Sequence, residues 1–152
     1  MLKKFLLEKE AFKLQAEAGT WQEAIKLGTD ILLQHDCIKP EYYDAVIQVA
    51  KEHGPYYVIA PGIAMPHARP ETGAKTIGFA LVTLKEPVKF NHEENDPVDI
   101  VLCICAPDAK ALTEEGIMEV MNLFDGDENI QALREAKTKS DLENLLNSIE
   151  EL

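Results

Sequence analysis

Apolar positions along this chain fall into blocks of helical and strand-like spacing. The opening segment through about Glu10 predicts an amphipathic helix, and Phe12-Lys13-Leu14-Gln15-Ala16 alternates like a short strand. Trp21, Ala24, Ile25, Leu27, Gly28, Ile31 and Leu32 share one helical stripe, preceded by Thr20 and Glu23 at capping-box spacing. Pro40 suits the first turn of a second long helix, carrying Tyr43, Ala45, Val46, Ile47, Val49 and Ala50. Gly54 and Pro55 stop that helix near His53.

The pattern then shortens. Tyr56 to Ala60 and Thr76 to Leu84 read as strands, with Pro87 to Phe90 adding a short edge strand. Val98 to Cys105 is apolar on both faces: Ile100, Leu102 and Ile104 point one way, Val101, Cys103 and Cys105 the other. Such a strand belongs between two helical layers. Thr113 is placed to cap a helix holding Ile117, Met118, Val120, Met121, Leu123 and Phe124, which Gly126 ends. Asp127 starts another through Ile130 and Leu133, and Ser140 with Glu143 forms a capping box before Leu142, Leu145, Leu146 and Ile149. No repeat, low-complexity stretch or linker divides the chain. The expectation is one α/β domain over residues 1–152, three-layered, with a mixed, mostly parallel sheet and helices on both faces.

Composition narrows the function. With 46% hydrophobic and 28% charged residues, the 152-residue chain has the makings of a globular core. A formal charge of −12 argues against nucleic acid and against anionic lipid. The apolar start Met1-Leu2-Lys3-Lys4-Phe5-Leu6-Leu7 ends at Glu8-Lys9-Glu10, too soon for a secretory signal, and no run approaches the ~20 residues that cross a bilayer. Three cysteines, an odd count without such a signal, favour reduced thiols and a cytoplasmic setting. Cys103 and Cys105 read as small core residues rather than metal ligands, for no second pair exists. Cys37, beside His35 and Asp36, reads as part of a surface helix end. His35 and His53 fall near helix C-termini, where imidazolium complements the dipole. No glycine-rich phosphate motif supports use of ATP or NAD, and neither cofactor nor metal is expected.

The most informative stretch is Tyr56-Tyr57-Val58-Ile59-Ala60-Pro61-Gly62-Ile63-Ala64-Met65-Pro66-His67-Ala68-Arg69-Pro70. It is too rich in proline and glycine for a helix, yet too apolar for an ordinary solvated turn. Two readings of His67 stand side by side: a nucleophilic imidazole on display, or a histidine satisfied by its own loop. Ile63 and Met65 either fill the core beneath or ring the imidazole as a docking surface. Arg69 either grips anionic oxygens or pairs with Glu71.

Glu52, Ile59-Ala60 and Ile63-Ala64-Met65-Pro66-His67-Ala68 resemble the active-site signature of enzyme IIA components of the bacterial sugar phosphotransferase system, mannitol and fructose type. Gly54 to Gly62 and Phe90-Asn91-His92-Glu93-Glu94-Asn95-Asp96-Pro97-Val98-Asp99 resemble the L-ascorbate-specific members in particular. The resemblance implies the enzyme IIA type 2 fold and a phosphoryl relay. His67 takes the group from phosphorylated HPr and yields it to a cysteine of enzyme IIB, which serves the membrane enzyme IIC. Neutral imidazole suits that role near pH 7, and positioning does most of the rest.

One departure matters. Relatives of the mannitol type carry a second histidine near the start of the helix after the central strand, and an arginine before the loop. Here Ala106 to Glu119 contains no histidine, and Lys51 stands where the arginine is expected. Arg69, His92 and Thr113 are the candidates for supporting a phosphoryl group. His92 has an alternative role organising an acidic turn with Asn91, Asn95 and Asp96, while Glu93, Glu94, Asp96 and Asp99 read as a solvated face. Two other functions remain open: a signalling protein of the same fold, and a metal-dependent hydrolase using His67 and His92.

Overall fold

The doubly apolar segment Val98–Cys105 occupies the middle of a five-stranded sheet in the computed structural model, which describes residues 1–149 and 152. In chain order the elements are α1 (Leu2–Glu8), β1 (Phe12–Ala16), α2 (Trp21–Gln34), α3 (Glu41–His53), β2 (Val58–Ala60) and β3 (Ile63–Ala64). A 3₁₀ turn (Pro70–Thr72), β4 (Gly78–Val88), β5 (Val98–Cys105) and a π-helical segment (Ala111–Ile117) follow. That segment runs into α4 (Met118–Leu123), and α5 (Asp127–Glu135) and α6 (Lys139–Asn147) close the set.

The sheet order is β1-β4-β5-β3-β2. β1 pairs parallel with β4 and β3 parallel with β5, while β4–β5 and β2–β3 are antiparallel. The sheet is therefore mixed, but parallel pairs do not predominate as the sequence suggests. The long β4–β5 ladder sets Phe79 opposite Ile104 and Val82 opposite Val101.

Helices cover both faces. A Cβ built on Gly28 of α2 would lie 2.4 Å from Cys103 Sγ, so this helix lies on the face bearing Cys103 and Val82. On the other face, Gly116 abuts Ile104, and Phe5 of α1 meets Phe79 edge-on at 6.0 Å. Ile100, Val101, Leu102 and Ile104 are all fully buried. Burial of each such side chain contributes about 1.5–3 kcal/mol relative to exposure, which favours a two-faced strand in the centre rather than at an edge.

Local chemistry moved several boundaries. Pro87 to Phe90 forms no separate strand: β4 continues to Val88, which pairs with Val98 after an irregular stretch. Thr113 caps nothing, because the helical segment starts earlier and Asp108 Oδ1 accepts the Ala111 N–H at 2.8 Å. The capping box of α6 uses Thr138 and Asp141, not Ser140 and Glu143. At α2, Thr20 accepts the Glu23 N–H as expected, but Glu23 reaches back to Gly19 rather than Thr20. Cys37 is buried rather than at the surface.

Candidate functional site

β3 and β5 run parallel as neighbours, so the loops that follow them leave the sheet at the same end. The histidine loop leaves β3 there, and the chain from Ala106 leaves β5. The end of α3 supplies the third wall. Together they enclose a cleft of about 610 Å³ lined by His67, Arg69, Glu52, His53, Tyr56 and Leu112 among others. Crevices outside the carboxyl ends of parallel strands are common ligand sites.

The loop is pinned from several sides. Pro66 O accepts the Ile104 N–H at 3.2 Å, and Met65 N–H donates to Tyr57 O at 2.8 Å. Tyr42, buried in α3, donates its hydroxyl to Ile104 O at 2.9 Å and accepts the Ala68 N–H at 3.0 Å. At the far end, the Gly62 carbonyl accepts from Asp99 and Ile100, and Gly62 itself sits at φ +78°. The Arg134 guanidinium bonds Asp99 at 2.9 Å and the Pro61 carbonyl at 3.1 Å, bracing that turn. The positive φ favours glycine at position 62, and an added Cβ would press against the end of the Arg134 side chain.

His67 itself is half-buried. Its Nδ1 lies 2.8 Å from the Met65 carbonyl oxygen, an acceptor only, so Nδ1 carries the proton and Nε2 keeps the lone pair. Tyr56 packs edge-on against the ring at 5.7 Å between centroids and donates its hydroxyl to His67 O at 2.7 Å. Burial lowers the His67 pKa from the ordinary 6.5, outweighing the Met65 carbonyl, which pulls it upward. The ring is therefore neutral at pH 7, with a defined tautomer and one uncommitted nucleophilic nitrogen.

Arg69 lines the same cleft and forms no ion pair among the described residues, with Glu71 or any other carboxylate. The other two candidates go elsewhere. His92 turns inward on the β4–β5 connection, its Nδ1 accepting the Glu94 and Asn95 N–H groups at 3.3 and 3.0 Å. Asp96 accepts the Phe90 and His92 N–H groups, so it organises that loop rather than facing water, and Asp99 is held by Arg134. Thr113 is exposed on the π-helical segment, and Leu112 is the residue that faces the cleft there. Ile63 and Met65 are 0% and 5% exposed, which makes them floor rather than docking ring.

Tyr42, Tyr56 and His53 are the residues that sequence reasoning did not assign to the site. A tyrosine in a buried helical stripe carries one detectable signal: its hydroxyl needs a partner. Nothing in the spacing says which partner. As to metal, no group of three His, Cys, Asp or Glu side chains converges among the described residues. What the arrangement can do is accept an electrophilic group whose anionic oxygens a nearby guanidinium holds.

Residues 5–149 match the model of the family described as phosphoenolpyruvate-dependent sugar phosphotransferase system, EIIA 2. The chain is 50% identical over 145 residues to the ascorbate-specific PTS system EIIA component of Escherichia coli strain K12, covering 95% of this chain and 94% of that one. A crystal structure of a PTS IIA (PtxA) from Streptococcus mutans superposes with a TM-score of 0.89 at 37% identity, covering 97% and 93% of the two chains. The complex of enzyme IIA-MTL and phosphorylated enzyme IIB-MTL from Escherichia coli gives a TM-score of 0.79 at 26% identity, covering 91% and 95%.

Proposed function

This chain belongs to the phosphoenolpyruvate-dependent sugar phosphotransferase system EIIA 2 family, and from that premise we propose that His67 is its phosphoryl-carrying residue in L-ascorbate uptake. The donor is phosphorylated HPr. Nε2 of His67 attacks phosphorus as the donor's P–N bond breaks, and the donor imidazole takes the electron pair. A cysteine thiolate of enzyme IIB then attacks the same phosphorus, returning the pair to Nε2. Membrane enzyme IIC completes the transport system, and this chain works beside it in the cytoplasm. Among the described residues, no helix is long and apolar enough to cross a membrane.

The supporting observation is the 2.8 Å bond from His67 Nδ1 to the Met65 carbonyl inside an open cleft. It leaves Nε2 free, and it stabilises the positive charge that the ring gains as the N–P bond forms. Arg69, unpaired beside it, is the group that holds the phosphoryl oxygens. Covalent transfer through imidazole divides one difficult exchange between carriers into two easier ones. The ascorbate assignment draws on the name of the relatives at 50% identity, since the sugar need never meet this chain.

The test is reconstitution with enzyme I, HPr and phosphoenolpyruvate. The chain should gain one acid-labile phosphate, mapped to the peptide containing His67. His67→Gln should lose the label while keeping its fold by circular dichroism, and label retained in that variant would refute the assignment. Passage of the label to the ascorbate enzyme IIB, but not to a mannitol enzyme IIB, would support the sugar class.

A further inference from the structure

The His67 nucleophile shares its cleft with a second histidine that comes from a different element. His53 is the last residue of α3 and lines the same cleft wall as Glu52. Its side chain is 71% exposed and makes no hydrogen bond among the described residues. The nearest carboxylate oxygen, Glu52 Oε2, is 3.9 Å from His53 Nε2, too far for a hydrogen bond. Glu52 is instead engaged by Gln48 at 2.8 Å.

The donors available in the cleft are few. The Tyr56 hydroxyl is committed to His67 O, and the His67 Nδ1–H to Met65 O. Leu112 and Ala109, on the wall formed by the chain after β5, are apolar. Of the side chains lining the cleft, His53 and Arg69 are the two whose N–H groups make no hydrogen bond among the described residues. A phosphoryl group on His67 brings up to two negative charges beside the Glu52 carboxylate and the carbonyl end of α3, both unfavourable to an anion. One guanidinium facing that much negative charge leaves an oxygen without a donor.

We propose that His53 is a second phosphoryl-binding residue, donating a hydrogen bond to an oxygen of the PO₃ unit on His67 while Arg69 holds the others. The inference rests on the reading of His67 as the carrier. The cleft thus supplies from the end of α3 a donor that its other wall lacks.

The experiment is single-turnover transfer from phosphorylated HPr to the full chain, comparing wild type with His53→Ala, His53→Arg and His67→Gln. His53→Ala should lower the maximal rate about tenfold or more, the worth of one charge-assisted bond. The concentration of phospho-HPr giving half-maximal rate should stay within about twofold. His53→Arg should recover most of the rate, because a guanidinium supplies the same donor. Thermal midpoints of both His53 variants should match wild type, as that side chain is exposed and makes no hydrogen bond among the described residues. A wild-type rate in His53→Ala, a change confined to the half-saturating concentration, or failure of His53→Arg to rescue would each overturn the proposal. If His67→Gln still accepts the label, the carrier assignment itself fails. If His67→Gln is silent and His53→Ala is fully active, only the role of His53 falls.

Discussion

The Tyr42 hydroxyl lies 2.9 Å from the Ile104 carbonyl oxygen and 3.0 Å from the Ala68 backbone nitrogen, so one α3 side chain joins the end of β5 to the residue after His67. Phenylalanine fills nearly the same space but leaves a buried carbonyl and a buried N–H without that partner. Tyr42→Phe should therefore destabilise the fold by about 1–3 kcal/mol. It should also slow phosphoryl acceptance, since the histidine loop loses one of its anchors. Urea unfolding and the labelling assay measure the two effects, and unchanged values in both would remove Tyr42 from the loop's support.

The acid limit of the reaction follows from the burial of His67. In the folded chain its pKa lies below the ordinary 6.5 because desolvation disfavours the charged ring. The folded state thus binds fewer protons than the unfolded one, and this contribution to stability is fully present above 6.5. It is lost as pH falls from there through the lower folded value. An NMR titration of the His67 ring should show a midpoint under 6.5, and transfer should persist to more acid pH than an ordinary histidine allows. A midpoint above that value would contradict the environment described.

Gly28 is where α2 touches the sheet. An added methyl would sit 2.4 Å from Cys103 Sγ and 3.1 Å from its Cβ. Helix propensity favours alanine over glycine by about 1 kcal/mol, but overpacking a rigid strand costs about 1–3 kcal/mol. Clash outweighs propensity here, because Cys103 is 1% exposed and has no room to retreat. Gly28→Ala should lower stability, and Gly28→Ala with Cys103→Ala should recover much of the loss. Additive losses in that double-mutant cycle would argue that the two residues do not meet.

The two capping assignments for α6 differ in a simple measurement. Thr138 accepts the Asp141 N–H at 3.1 Å, and Asp141 reaches back to the Thr138 N–H at 3.2 Å. Thr138→Ala should cost about 1 kcal/mol. Ser140→Ala should stay within about 0.5 kcal/mol, as expected for exposed positions that make no special contact. The reverse order would restore the cap inferred from spacing.

Ser140–Glu143 and Thr138–Asp141 show why such boundaries elude sequence reasoning. Both offer a hydroxyl three residues before a carboxylate. Which one caps depends on where the chain leaves Ala136, which α5 and the sheet decide. Thr113 failed in the same way: Asp108 was nearer the true start of the helical segment, and only the path of the chain after β5 reveals that. The central strand was legible because alternating apolar faces have one stable destination. So was the histidine loop, where proline and glycine forbid helix and the apolar residues forbid a free turn.

Local chemistry by itself established the α/β class, the central place of Val98–Cys105 and the singular character of His67, since burial of period-two and helical stripes needs no knowledge of partners. Tertiary structure alone decided what surrounds that imidazole. It sent His92 and Thr113 elsewhere, brought His53 and Tyr56 to the cleft, and set Tyr42 beneath the loop. The walls of the cleft come from segments as far apart as α3, with Glu52 and His53, and the chain after β5, with Ala109 and Leu112. Parallel pairing of β3 with β5 is what makes their loops neighbours. Side-chain spacing governs which face of an element is buried, but the order of strands in the sheet governs which ends of the chain meet.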